Sequence, residues 1–327
     1  MIQVKQGDLF VAITGYAADG HRFIPMAVEK GAAAVLCERA PEIDIPYVQV
    51  ENARLAMALA SANFFGHPAD AMTFVGITGT NGKTSSTYLL KTVLEKTLGA
   101  KVGLIGTIQN MIGDQVLETE RTTPESFELQ KLFYEMKQAG CTHVIMEVSS
   151  HSLVLDRVAG IRFQVGIFTN LTQDHLDFHK TMEEYRKAKA ILFRRCAIGV
   201  FNGDDEATPK ILETATCKPM TFGEKPENDL QAVAPILHSD GVEFTARYGE
   251  RRAHVHLGIP GAFTVYNALG VLGAALALGV SLEDAAAALE TAHGVKGRVE
   301  VVPTPGKDYT ILIDYAHAPD GLENVLS

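Results

Sequence analysis

Apolar residues along this chain follow one rhythm through its middle. Short continuous apolar runs fall at 73–78, 102–105, 143–148, 164–169 and 197–201, and stretches with helical spacing lie between them at 83–97, 124–139 and 182–194. Unbroken runs predict strands covered on both faces, and their alternation with helices predicts a mostly parallel sheet. The first 70 residues repeat the theme on a smaller scale, with strands at 7–12, 33–37 and 46–50 and helices at 21–30 and 52–65. Gly66-His67-Pro68 then breaks the pattern as a linker does. Ser281-Leu-Glu-Asp284 opens a later helix with a cap-like start. A new strand follows at 309–315, leading into the beginning of a helix. The predicted fold class is α/β. It comprises a small N-terminal α/β domain (1–70), a central mostly parallel sheet with helices on both faces (71–296) and the start of a C-terminal α/β domain (297–327). A unit beginning near residue 297 is too short to bury a core, so a C-terminal truncation is expected.

Residues 257–282 carry no charge, which raises the question of a membrane span. Pro260, Gly261, Gly270, Gly273 and Gly279 punctuate the stretch, and alanine dominates it. Its helical part, 263–278, would reach about 24 Å against a hydrocarbon core of about 30 Å. A helix packed closely on the sheet is expected, with no membrane insertion. With 39 acidic against 29 basic residues, a net charge of −10 argues against a nucleic-acid partner. The four cysteines show no CxxC spacing, so reduced thiols in a cytoplasmic protein are expected rather than zinc or disulfides.

Candidate chemistry begins at Gly76-Ile-Thr-Gly79-Thr80-Asn81-Gly82-Lys83-Thr84-Ser85, between an apolar strand and a helix. Glycines there let backbone N–H groups approach phosphates at a helix N-terminus. Lys83 would reach the β- and γ-phosphates and Thr84 would hold Mg²⁺. The spacing departs by one position from the strict Walker pattern. Glu147 closes the next apolar strand, and His175 follows the strand after that. In a parallel sheet these strand ends share one edge with the phosphate loop, where ligands bind. Glu147 suits Mg²⁺ as an oxygen ligand, and position alone brings His175 into the group. His179 reads as an exposed helix or turn residue. Lys187 and Lys189 lie on the following helix. A lysine deprotonated by burial can add CO₂ to give a metal-binding carbamate, and the residues leave open which of the two does so. Arg121-Thr122-Thr123-Pro124-Glu125 reads as a helix start with proline in its first turn, either an ordinary cap or an anion site. Arg157 is a candidate anion clamp.

These residues resemble the Mur ligase family, in particular the branch that adds the third amino acid to UDP-N-acetylmuramoyl-L-alanyl-D-glutamate. The resemblance rests on GDLFVAITGYAADGHRFI (7–24), GITGTNGKTSS (76–86), TTPES (122–126), EVSSHSL (147–153), NLTQDHLDFH (170–179), GRVE (297–300) and IDYAHAPDGLENVL (313–326). It implies an ATP-dependent amide ligase of peptidoglycan precursor synthesis, using Mg²⁺ and taking the UDP-N-acetylmuramoyl dipeptide and an amino acid, meso-diaminopimelate or L-lysine. Gly79, Thr80, Asn81, Gly82, Lys83, Thr84 and Ser85 would bind the ATP phosphates. Thr84 and Glu147 would ligate one Mg²⁺ and His175 would help hold a second, with Lys189 as the carbamylated lysine. Thr122, Thr123, Ser149 and Arg157 match positions that hold the UDP-muramoyl dipeptide. Asn267 matches an adenine contact, and Arg298, Asp314 and His317 match further nucleotide contacts.

The family's Asp-Ser-Arg before Gly7 is absent, and Thr264 stands where asparagine is frequent. The amino-acid pocket would lie in the C-terminal domain, so a clipped and inactive fragment is the expectation. A folylpolyglutamate-synthase-like ligase is the alternative within this chemistry. From a different class, the alternative is a nucleotide-binding protein that ligates nothing.

Overall fold

A computed structural model describes residues 4–15, 18–302, 304–306, 309, 311–316 and 321–323. Near the N-terminus, β1 (Leu9–Val11), α1 (Ile24–Glu29), β2 (Ala34–Cys37), β3 (Tyr47–Gln49) and α2 (Ala53–Phe64) form a unit around a three-stranded parallel sheet. The helix predicted over 21–30 is divided. A 3₁₀ turn, Gly20–Phe23, capped by the Asp19 carboxylate, runs into α1, where Pro25 sits in the first turn. Asn52 caps α2 by accepting from Leu55 N at 3.0 Å, so the predicted start holds. Phe64 and Phe65 meet Phe127 on a helix of the larger unit, with ring centroids 6.2 and 5.3 Å apart.

The larger unit continues through β4 (Thr73–Thr78), α3 (Lys83–Leu98), β5 (Val102–Ile105), the hairpin β6 (Asn110–Ile112) and β7 (Gln115–Leu117), α4 (Ser126–Gln138), β8 (His143–Glu147) and α5 (Ser150–Val154). Next come β9 (Phe163–Phe168), α6 (Leu176–His179), α7 (Met182–Ala190), β10 (Cys196–Asn202), α8 (Thr208–Leu212), β11 (Lys218–Gly223), β12 (Leu230–His238), β13 (Gly241–Tyr248) and β14 (Arg251–Leu257). Helices α9 (Ala262–Ala277) and α10 (Leu282–Leu289) precede a two-stranded ladder of β15 (Glu300–Val302) and β16 (Ile311–Ile313).

One sheet of eleven strands holds this unit together, in the order β14-β13-β12-β11-β10-β9-β4-β8-β5-β6-β7. From β5 to β12 the neighbours pair in parallel, and both flanks are antiparallel. All five predicted strands of the parallel part are present within a residue or two. The antiparallel strands β13 and β14 escape a search for continuous runs because they alternate. Val242, Phe244 and Ala246 point inward, as do Ala253, Val255 and Leu257, with polar residues between.

Two helix boundaries differ from prediction. The start predicted at Pro124 falls at Ser126, because Glu125 and Glu128 form a capping box that leaves the proline outside. The helix over 182–194 tightens into a 3₁₀ turn after Ala190. The uncharged stretch is the buried helix α9, packed on α3 and the sheet. Among the described residues no helix is long and apolar enough to cross a membrane.

Candidate active site

Thr78 ends β4, and residues 79–82 turn straight into α3 at Lys83. Two glycines make this turn possible. Gly82 has φ 82°, and a Cβ there would strike Asn267 Oδ1; a Cβ on Gly79 would strike Thr169 Oγ1. The segment 169–172 frames the loop. Asn170 O accepts from Thr80 N at 3.0 Å, Asn170 Oδ1 accepts from Asn81 N at 2.8 Å, and Thr169 Oγ1 donates to Asn81 O at 2.7 Å. Lys83 Nζ folds back to donate to Gly79 O at 2.9 Å and Thr80 O at 2.7 Å. Burial pulls its pKa down, against the charges of Glu147 and Asp174. The result is a backbone cradle at a helix N-terminus with a cation at its rim, which is what phosphate groups require.

Glu147 ends β8, next to β4 in the sheet, and is 1 % exposed. Its carboxylate is held by three donors. Thr84 Oγ1 and Thr107 N reach Oε1, both at 2.9 Å, and Thr107 Oγ1 reaches Oε2 at 3.0 Å. Thr107 is a site residue that sequence reasoning missed. Its signal is the pair Gly106-Thr107 directly after β5, the other neighbour of β8. Gly106 has no room for a side chain, since a Cβ would come 2.6 Å from Glu147 Oε1.

From Glu147 the network runs on without a gap. Thr107 Oγ1 lies 3.0 Å from Thr122 Oγ1, Thr123 Oγ1 donates to Glu147 O at 2.8 Å, and Ser149 N donates to Thr123 Oγ1 at 3.1 Å. Ser149 Oγ caps α5 by accepting from Ser152 N at 3.1 Å. Arg157 donates to Thr123 O at 3.1 Å and pairs with Glu125 at 2.7 Å. Burial lowers the Arg157 pKa, and Glu125 opposes that.

The structure separates the two candidate lysines. Lys187 is exposed and pairs with Glu183 at 2.9 Å and Glu184 at 3.0 Å, which raises its pKa. Lys189 is 1 % exposed, donates to Gly79 O at 2.8 Å and sits 4.2 Å from the centre of the Tyr185 ring. Burial, and then the Lys83 charge, push its pKa well below the ordinary lysine value, with Asp174 opposing. His175 adopts a left-handed backbone, φ 52°, at the cap of α6 and lies 3.4 Å from Asp174 Oδ2. Burial lowers its pKa, and Asp174 opposes that. His179 is not the exposed residue anticipated. It is buried, with Nε2 2.8 Å from Ser150 Oγ, because α6 folds it back against α5. Burial, followed by His151, holds its pKa at about 4.

These groups converge on a cavity of about 640 Å³ lined by residues 79–85, Thr107, Thr122, Glu147, Ser149, His175, Lys189, Asn267, Arg298 and Asp314. Thr123 and Arg157 stand behind this lining, tied to it by the bonds above. Asn267 comes from α9, and Ser86 Oγ donates to its Oδ1 at 3.5 Å. The Arg298 guanidinium lies 5.1 Å from the Tyr315 ring, and among the described residues its buried Nε has no partner. Both Asp314 oxygens accept backbone N–H groups, from Val299 at 2.7 Å and Ala316 at 2.6 Å, so this carboxylate also clamps the chain. His317 lies outside the described residues.

Comparison with known proteins bears directly on this constellation. A family model described as the Mur ligase middle domain matches residues 77–275, and one described as the Mur ligase family, catalytic domain, matches residues 2–68. The chain belongs to the Mur ligase family. Curated relatives of this Mur ligase include proteins of Clostridium botulinum and Clostridium acetobutylicum, 47% and 49% identical. The first is named UDP-N-acetylmuramoyl-L-alanyl-D-glutamate--2,6-diaminopimelate ligase and the second carries the same name with the suffix 1, and each match covers 99% of this chain and 68% of the relative. A solved structure with the same protein name superposes with a TM-score of 0.87 at 26% identity, over 99% of this chain and 67% of that one. A folylpolyglutamate synthase of Mycobacterium tuberculosis, solved with ADP and AMPPCP, covers 83% of this chain and 69% of its own, with a TM-score of 0.70 at 17% identity. That likeness is one of fold. As a Mur ligase the chain is an ATP-dependent enzyme of peptidoglycan precursor synthesis.

Proposed function

We propose that this Mur ligase adds the third amino acid to UDP-N-acetylmuramoyl-L-alanyl-D-glutamate, in the cytoplasm, with MgATP as the energy source. The names of its curated relatives favour 2,6-diaminopimelate over L-lysine as that amino acid. The observation that carries this reading is the unbroken network from the phosphate loop through Glu147 to Thr122, Thr123 and Arg157. It joins a nucleotide cradle to an acceptor site. The ladders at the two ends of the chain support separate units near 1–70 and 297–327, flanking a central unit over 71–296.

In this reading the γ-carboxylate of D-glutamate takes the γ-phosphoryl group of ATP to form an acyl phosphate. The amine of the incoming amino acid then displaces phosphate and closes the amide. Two anions must meet, so charge neutralisation dominates. Lys83 turns from the loop carbonyls to the transferring phosphoryl group. Thr122, Thr123, Ser149 and Arg157 orient the acceptor. Asn267, Arg298 and Asp314 hold the nucleoside end, and His317 is proposed to join them.

The donor set fits Mg²⁺: the Thr84 hydroxyl and the Glu147 carboxylate, both oxygen donors, meet at 2.9 Å beside the cradle. Those two would hold one ion. His175 and a carbamate on Lys189 would hold a second. The ions supply neutralisation of phosphate and carboxylate charge. Lys189 meets the requirement for carbamate formation because burial favours its neutral amine.

Phosphate release from ATP by the product of the complete reading frame tests the proposal, with Mg²⁺, the UDP-muramoyl dipeptide and each amino acid in turn. Release that needs the dipeptide and diaminopimelate is expected. A folded product that binds ATP yet releases no phosphate with either amino acid would overturn it.

A further inference from the structure

The four cysteines are free thiols, with Cys37 and Cys141 buried and Cys196 and Cys217 half-buried. The last two are neighbours in space. Strands β10 and β11 pair in parallel with Ile198 opposite Lys218. Carried one residue before the start of β11, that register sets Cys217 level with Ala197, one strand across from Cys196 and one residue along. Such a step is about 6 Å between Cα atoms, inside the span of roughly 4.4–6.8 Å that a disulfide bridges.

Regular alternation along the strands would turn these two side chains to opposite faces, yet both sulfurs lie beside the same face of the sheet, where the ladder begins. Gly166 of β9 and Gly199 of β10 are opposed Cα partners. A Cβ on Gly166 would lie 3.0 Å from Cys196 Sγ, and one on Gly199 would lie 2.6 Å from Cys217 Sγ. The missing side chains of two paired glycines make the room for two sulfurs. Both thiols border the same apolar cluster, which includes Leu192 and Phe193. Each thiol shifts the other, so that the Cys196 pKa is raised and that of Cys217 lowered.

We propose that Cys196 and Cys217 form a redox-responsive dithiol that a low-molecular-weight disulfide converts to an internal disulfide, stapling the entry ends of β10 and β11. Cys217 is the attacking thiol. Its thiolate displaces one RS⁻ from RSSR, and that RS⁻ takes up the proton Cys217 lost. Cys196 then loses its proton and attacks the Cys217 sulfur, and the second RS⁻ leaves as RSH. Two cysteine thiols are oxidised by two electrons, and one RSSR becomes two RSH. The loop so closed contains Asn202, Asp204 and Asp205, which line the nucleotide cavity at the opposite strand ends. The staple therefore restrains the strand that carries them without entering the cavity.

The folded chain is incubated with glutathione disulfide, then examined by intact mass and peptide mapping. The expected product has lost two hydrogens and joins the Cys196 and Cys217 peptides. Dithiothreitol reverses it, and its Tm is higher by roughly 5 °C because the unfolded chain is constrained. Cys196→Ala should instead retain a glutathione adduct on Cys217. Phenylarsine oxide, which bridges two thiolates, should bind the reduced wild type as a single adduct and be lost in Cys217→Ala. Wild-type chain that carries separate glutathione adducts on both residues, or leaves both unreacted, overturns the proposal. Failure of the folded wild type to take up the arsenical does so as well, whether or not the variants fold.

Discussion

Glu147 illustrates how much of the site is held by single side chains. Three donors fix its carboxylate, and two of them come from Thr107. A hydrogen bond to a charged group contributes about 1.5–3 kcal/mol. Thr107→Val should therefore raise the Mg²⁺ concentration for half-maximal phosphate release by roughly tenfold or more, while Thr107→Ser restores it. A Mg²⁺ titration of both variants checks this, and an unchanged midpoint in the valine variant would remove Thr107 from the site. Lys83→Ala should abolish acyl phosphate formation, read as loss of hydroxylamine-trappable product; normal turnover would exclude the role given to Lys83. His179 makes the pH prediction. Its folded pKa of about 4 lies below the ordinary 6.5, so the folded state binds fewer protons between those values. Stability is therefore lost as pH falls from 6.5 through 4, by about 3 kcal/mol in total. Urea unfolding across that range should show a flatter dependence in His179→Gln. The motif residues were legible in the sequence because phosphate chemistry ties residue type to spacing. Thr107 and the burial of His179 were not, since each depends on which strand or helix lies alongside.

At the scale of elements, α9 packs on the sheet through two glycines that are not equivalent. A Cβ on Gly273 would come 2.7 Å from Val200 Cγ1, whereas one on Gly270 meets nothing closer than 3.4 Å. Gly273→Ala should destabilise the chain by about 1–3 kcal/mol through overpacking. Gly270→Ala should be neutral or stabilising by up to about 1 kcal/mol, because alanine is the better helix former. Thermal melts of the pair give the comparison, and equal Tm values would refute the close approach. Five of the seven parallel strands could be read in advance because burial on both faces leaves an unbroken apolar run, whereas β11 and β12, with exposed residues among their positions, could not. The flanking strands β13 and β14 have one buried face and a period of two, a pattern visible in Ala253, Val255 and Leu257 between polar residues. Their attachment to the parallel sheet is a pairing choice that no local pattern records.

The whole molecule places its chemistry along one sheet edge in a definite order. The phosphate loop follows β4. On one side stand β8 and β5, leading to Glu147, Ser149 and Thr107. On the other stand β9 and β10, leading to His175 and Asn202, with α9 supplying Asn267. Arg157→Lys is expected to raise the KM for the UDP-muramoyl dipeptide about tenfold, the loss of one charge-assisted bond, with little change for ATP. Asn267→Ala should do the reverse. Initial-rate kinetics with each substrate varied decide the matter, and parallel rises in both KM values would reject the separation. The fold class, the sheet edge and the phosphate loop were evident from sequence, whereas the proposed left–right assignment of substrates rests on the strand order. That order makes the enzyme a two-socket machine. In the proposed assignment acceptor and nucleotide would plug into opposite sides of a shared phosphate loop, so the acceptor socket could be rebuilt through the loops after β5 and β8 while the energy-coupling half stays as it is.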